Sequence, residues 1–249
     1  LSIYVPNAFV ENNFKKVTVA FRGISRTRTC FDKTIDCADG TFNVDMKLLS
    51  LLNKSFTINW NLQSLSSRND GTEFGSGQSL GFKFANQFSE NLSFSIGGEN
   101  IILFDTENDL GRNFYFIAST YKPLFFVNKK AILFLNAGIG SDFYGYKGNG
   151  YIARTSCLGR PNLTGNGSDE CNWGPIGSIS LAFNDRIALV NEWFGYGYGS
   201  GISIRPLQNS SLNISLYATD FIKGFPSHVE EGCHDKCETR YYGTLSFSF

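Results

Sequence analysis

Apolar and polar residues alternate with a period of two through most of this sequence, which constrains the fold more than any other feature. The alternation is clearest from Ser55 to Gln63, where Phe, Ile, Trp and Leu take turns with Thr, Asn and Gln. The same pattern runs from Phe42 to Leu48 and from Leu80 to Phe84. Because successive side chains of a strand point to opposite faces, each segment is predicted to be a β-strand with one apolar and one polar face.

The composition agrees with an all-β chain. There are 24 Phe and 11 Tyr against a single Met, and aromatic residues favour strands over helices. Apolar runs such as Ala131 to Leu135 fall far short of the roughly 18 residues that a membrane-spanning helix needs. We count about twelve strands: Val17–Ser25, Phe42–Leu48, Ser55–Gln63, Leu80–Phe84, Leu92–Phe104, Phe114–Phe126, Ala131–Phe143, Ile176–Phe183, Ile187–Gly195, Gly201–Leu207, Leu212–Phe221 and Tyr241–Phe249.

The connections between these strands alternate between short and long. Short polar connections, such as Leu52–Lys54 and Gln87–Asn91, take turns with long ones, such as Thr29–Gly40 and Gly145–Trp173. Strands that cross a membrane up and down produce this sorting, whereas a soluble β-sandwich has no reason for it. The sequence therefore predicts a transmembrane up-and-down antiparallel β-barrel with short periplasmic turns and longer extracellular loops.

The last nine residues, Tyr241 to Phe249, form an alternating strand that ends in Phe. This ending resembles the C-terminal signature of the bacterial outer-membrane β-barrel, porin-like superfamily. The resemblance implies a location in the bacterial outer membrane and contact with its lipid. It also implies recognition by the barrel-assembly machinery through Tyr241, Leu245, Phe247 and Phe249, with Gly243 as the weaker position. The start at Leu1 suggests a signal peptide already removed.

The chain is predicted to form one barrel domain over residues 14–249, since no linker or change of composition divides it. Residues 1–13 precede the first strand and contain Pro6 and several Asn residues. They are expected either to extend into the periplasm or to fold into the lumen as a plug.

The cysteines fall in pairs within the long connections. Six cysteines allow several connectivities, and we favour the local one because each pair lies within a single Gly- and Asp-rich stretch. The predicted disulfides are Cys30–Cys37, Cys157–Cys171 and Cys233–Cys237. A zinc site is the alternative, but only Cys233 and Cys237 are spaced as zinc ligands usually are.

Basic and acidic residues number 22 each, so no net charge favours a nucleic-acid partner. Functional charge must be local, on the polar face that lines the lumen of a membrane barrel. The predicted lumen-lining residues are Lys16, Arg22, Asp45, Lys47, Lys83, Glu99, Asp142 and Arg205. Arg22 is expected across from Asp45 or Lys47. At Asn191 and Glu192 two polar residues are adjacent, so one must face outward unless a bulge shifts the register.

A charged lumen of intermediate width predicts a passive channel for small hydrophilic solutes, without a cofactor or metal. A second hypothesis is a non-conducting surface barrel whose disulfide-tied loops bind a partner. A lipid-modifying enzyme is the third, but such an enzyme needs a His base near the membrane rim. Both histidines, His228 and His234, lie in the last long loop, and we predict no enzymatic activity.

Overall fold

The computed structural model describes residues 2–10, 16–25, 38–65, 74–105, 112–126, 129–141, 144, 152–156, 170–183, 186–195, 197–207, 211–221 and 239–249. The strands are β1 (Val17–Ile24), β2 (Asp39–Leu51), β3 (Lys54–Leu62), β4 (Gln78–Gln87), β5 (Leu92–Leu103), β6 (Asn113–Phe126), β7 (Lys129–Ser141), β8 (Ala153–Ser156), β9 (Glu170–Phe183), β10 (Ile187–Trp193), β11 (Tyr198–Ile204), β12 (Leu212–Thr219) and β13 (Arg240–Ser248). Within the described ranges no helix has the length and apolarity to cross a bilayer.

Twelve of these strands form a closed antiparallel barrel in which each strand pairs with its neighbours in the chain. The ring closes because β13 pairs with β1, while β9 follows β7 in the ring and pairs with β10. Strand β8 stands outside the ring, and within the described part of the chain it pairs with the first residues of β9. The predicted all-β, up-and-down barrel of about twelve strands is confirmed.

The start of β9 differs from the sequence prediction. Residues 145–173 were expected to be a loop, yet β9 begins at Glu170, before the predicted Ile176, and its first residues pair with β8 from Ala153↔Trp173 to Ser156↔Glu170. This short ladder gives the backbone N–H and C=O groups partners after the strand leaves the barrel wall. Cys171 therefore belongs to a strand.

The strand registers assign every second residue to the barrel interior. Small polar side chains on the inner wall form rows of hydrogen bonds from strand to strand. In one row the Ser119 hydroxyl donates to Asn136 Oδ1 at 2.5 Å, and Asn136 Nδ2 donates to Ser178 Oγ at 2.6 Å. Large apolar side chains alternate with them and are exposed on the outside of strands all round the ring. This outer apolar face includes Phe21, Met46, Phe84, Ile96, Phe116, Leu135, Ile179, Leu189, Leu216 and Leu245.

The C-terminal strand closes the barrel. The Phe249 N–H donates to the Val17 carbonyl at 2.8 Å, and the Lys16 N–H donates to the Phe249 carbonyl at 2.7 Å. Tyr241, Leu245 and Phe249 are exposed on the outside, whereas Tyr242 between them is buried inside.

Candidate functional site in the barrel interior

Residues 2–10, here called the inner segment, lie inside the barrel. The Ile3 N–H bonds to Glu192 on β10, the Ala8 N–H donates to Ser119 Oγ on β6 at 2.7 Å, and Ala8 is 0% exposed. The Phe9 ring packs 5.6 Å from Phe134 on β7. These contacts of the inner segment are with the inner wall.

Tyr4 is the anchor of the inner segment. Its ring lies 5.2 Å, 5.4 Å and 5.2 Å from three aromatic rings of the inner wall, which form an aromatic cage of Phe194, Tyr217 and Tyr242. The guanidinium of Arg22 sits 4.4 Å from the Tyr4 ring centroid, and Arg22 Nη2 donates to the Ile3 carbonyl at 2.9 Å. Aromatic pairs and a cation over a ring each add to the energy of burial. Arg22 thus holds the inner segment.

The Glu192 carboxylate fixes the backbone of the inner segment. It is 1% exposed and accepts the N–H groups of Ile3 at 2.6 Å and Tyr4 at 2.8 Å. A buried carboxylate is costly unless such bonds replace its hydration. Without any bulge, Glu192 faces inward opposite Ser178, and Asn191 faces outward, where the Tyr198 hydroxyl donates to its Oδ1 at 2.9 Å.

A cavity of about 220 Å³ lies beside the inner segment, bounded on one side by Pro6, Asn7 and Phe9. Five of the predicted lumen residues line it: Lys16, Asp45, Lys47, Lys83 and Glu99. Thr18 on β1 and Thr57 and Asn59 on β3 add polar groups. This cavity is the candidate functional site.

The lysines of the cavity stand at one level of the wall. The Lys47 N–H donates to the Lys16 carbonyl at 2.7 Å, Lys47 lies opposite Thr57, and Thr57 lies opposite Lys83. We call Lys16, Lys47 and Lys83 the basic row. Lys16 directly precedes β1, and Lys47 and Lys83 belong to β2 and β4.

The carboxylates stand at the adjacent level. Asp45 is two residues from Lys47 along β2 and lies opposite Thr18 and Asn59. The Tyr144 hydroxyl donates to the Glu99 carboxylate, at 2.9 Å and 3.0 Å from its two oxygens. We call Asp45 and Glu99 the acidic row.

The remaining predicted lumen residues lie elsewhere. Arg22 is opposite Thr41, and the expectation that it lies across from Asp45 or Lys47 is wrong, because the β1–β2 register places Asp45 opposite Thr18. Arg205 follows β11 and is exposed at the end of the barrel. Asp142 is outside the described residues.

The predicted disulfides fall largely outside the described residues. This holds for Cys30, Cys37, Cys157, Cys233 and Cys237, and for His228 and His234 in the last loop. The backbone of Cys171 lies in β9, but its side chain is not among those described. Among the described residues, no three His, Cys, Asp or Glu side chains gather as metal ligands would.

Sequence reasoning missed a buried ion pair at the end of the barrel where β12 stops. Arg240 Nε donates to Asp220 Oδ2 at 2.6 Å, and Arg240 Nη2 also contacts that oxygen. Asp220 has a φ of 59° directly after β12. The pair ties the end of β12 to the start of β13, which leads into the seam with β1.

The fold and its interior define a class, a closed twelve-stranded antiparallel barrel with charged groups inside and apolar side chains outside. No protein-family model matches this chain, and a search of curated proteins finds no match.

Proposed function

We propose that this barrel spans a bacterial outer membrane and passes small hydrophilic solutes through its lumen. The observation that carries the proposal is the outer apolar face, which surrounds a wall whose inner side is polar. A soluble barrel would place its apolar side chains in the core, and soluble monomers rarely expose a continuous apolar surface of this extent. A barrel in a bilayer places apolar residues against lipid and polar ones in the lumen.

Membrane insertion is tested by a charge on the outer apolar face. Leu216 lies on β12 and is 59% exposed, while Leu207 follows β11 and is 68% exposed. In phospholipid vesicles we expect Leu216→Lys to lower the free energy of unfolding by about 2–4 kcal/mol, because lysine near the midplane meets lipid. Leu207→Lys, near the barrel end, is expected to cost at most about 1 kcal/mol. Equal costs for the two variants would contradict insertion.

Solute passage is supported by the cavity with its basic and acidic rows, since charged rings in a pore select the solutes that enter. The inner segment occupies part of the interior, so the conductance of the unaltered protein should be small. Single-channel recording in a planar bilayer under a salt gradient tests this after heat-shifted gel mobility has shown a folded barrel. Tyr4→Ala, which empties the aromatic cage, is expected to give larger current steps than the unaltered protein.

A second candidate is a non-conducting surface barrel that binds a partner through its loops. The observation in its favour is the close packing of the inner segment, in which Val5 and Ala8 are buried. Under this candidate, the unaltered protein and Tyr4→Ala are both electrically silent although folded. Current steps from either of them would count against it.

A further inference from the structure

Two lysines lie on the outside of the barrel wall. Among the outward-facing strand side chains that the structure describes, Lys54 on β3 and Lys122 on β6 are the charged ones, and both are exposed. Lys54 is two residues before Phe56, which pairs with Phe84 of the outer apolar face. Lys122 follows Phe116 of the same face by six residues. Residues an even number apart along a strand share a face, so both lysines point outward.

Both lysines lie near the end of the barrel that carries the short connections, here called the turn end. Lys54 is the first residue of β3, directly after the β2–β3 turn. Lys122 is within β6, but the neighbouring strand β5 begins at Leu92, opposite Thr120, so Lys122 lies two residues beyond the end of β5. Each lysine therefore stands at the border of the outer apolar face. A lysine at such a border can lay its methylene stem on apolar surface and keep its ammonium group in a polar layer.

The protein supplies no counter-ion to these two lysines within its described residues. Neither Lys54 nor Lys122 forms an ion pair with a described carboxylate. Glu90, which is exposed in the β4–β5 turn, pairs with neither of them. At the border of a bilayer, the groups that meet such side chains are lipid headgroups, and anionic headgroups attract lysine and arginine.

We propose that the turn-end rim, formed by Lys54 and Lys122, binds the headgroups of anionic phospholipids. The inference rests on the proposed membrane location and names the class of lipid that the rim selects. The ammonium group of each lysine faces a headgroup phosphate, while the cross-strand neighbours Leu51 and Leu133 lie against acyl chains. A zwitterionic headgroup offers the same phosphate but carries an ammonium group of its own, so its net attraction to lysine is weaker.

The test is native mass spectrometry of the folded protein in detergent with equal amounts of phosphatidylglycerol and phosphatidylcholine that share the same acyl chains. We expect the unaltered protein to retain about five times more phosphatidylglycerol, because a lysine near an anionic lipid surface contributes an attraction that corresponds to about fivefold in binding. Lys54→Gln combined with Lys122→Gln should bring the two lipids to parity. Lys54→Arg combined with Lys122→Arg is the matched control, which keeps both charges and should keep the preference.

The outcomes separate this inference from the channel proposal. Parity of the two lipids on the unaltered protein, or an unchanged ratio in the glutamine variant, would overturn the inference even if the barrel conducts ions. Loss of the preference in the arginine variant as well would also overturn it, because charge would then not be what selects the lipid. A barrel that is silent in the bilayer but keeps the charge-dependent preference would support the rim and remove the channel.

Discussion

Replacing Glu192 by Gln should loosen the inner segment without changing the shape of the site. The carboxylate accepts the backbone N–H groups of Ile3 at 2.6 Å and of Tyr4 at 2.8 Å. Hydrogen bonds to a charged group contribute about 1.5–3 kcal/mol each. Gln keeps one neutral oxygen acceptor and points an N–H₂ donor toward the other N–H, so the expected loss is about 2–3 kcal/mol. A loss of that size raises the population of the released segment roughly 30- to 150-fold.

Hydrogen–deuterium exchange of the peptide covering residues 2–10 measures this release, because these amides exchange only when the segment leaves its site. In folded Glu192→Gln we expect exchange of the Ile3 and Tyr4 amides to accelerate by that factor. Glu90→Gln, an exposed position between β4 and β5, is the matched control and should exchange like the unaltered protein. Equal protection in Glu192→Gln and Glu90→Gln would refute the role assigned to this carboxylate.

Two further predictions concern the barrel wall and can be read from urea unfolding midpoints in detergent. Gly97→Ala should destabilise the barrel by about 1–3 kcal/mol, because the new Cβ would collide with the Tyr115 ring. Gly243→Ala is the control: nothing lies within 4 Å of its Cβ, so stability should change by less than about 0.5 kcal/mol. Equal unfolding midpoints for the two variants would show that the packing of the Tyr115 ring does not require a glycine at position 97. Asp220→Asn should cost about 3–5 kcal/mol by leaving Arg240 buried beside a neutral amide; an unchanged midpoint would show that the pair adds no stability.

Much of the barrel wall was predictable because alternation is a local property. The pattern from Ser55 to Gln63 predicted β3, which spans Lys54–Leu62, and the pattern of the last nine residues predicted β13. The same alternation predicts which side chains of a strand face the lumen and which face outward. At β10 the sequence left open which of the two adjacent polar residues faces outward, and the structure has Asn191 outward with Leu189, and Glu192 inward.

The site itself was only partly predictable, because it depends on contacts between distant parts of the chain. Glu192 and Ile3 are 189 residues apart, and residues 2–10 have no periodicity that would reveal an inward position. Cross-strand partners such as Arg22 and Thr41 depend on the register of β1 against β2, which the alternation of either strand leaves open. Lys47 was expected on the inner face, but its place beside Lys16 needed that same register.

The seam between β1 and β13 has a consequence for the order in which the molecule assembles. It joins positions such as Thr18 and Ser248, 230 residues apart, and pairings of such long range carry the largest loop-closure cost. Once the ring is closed, residues 2–10 can reach their site only lengthwise through an open end. If they are in place earlier, the sheet curls around them. In that case the inner segment, which bonds to β6 through Ser119 and to β10 through Glu192, is a template that sets the curvature of the sheet before its two edges meet.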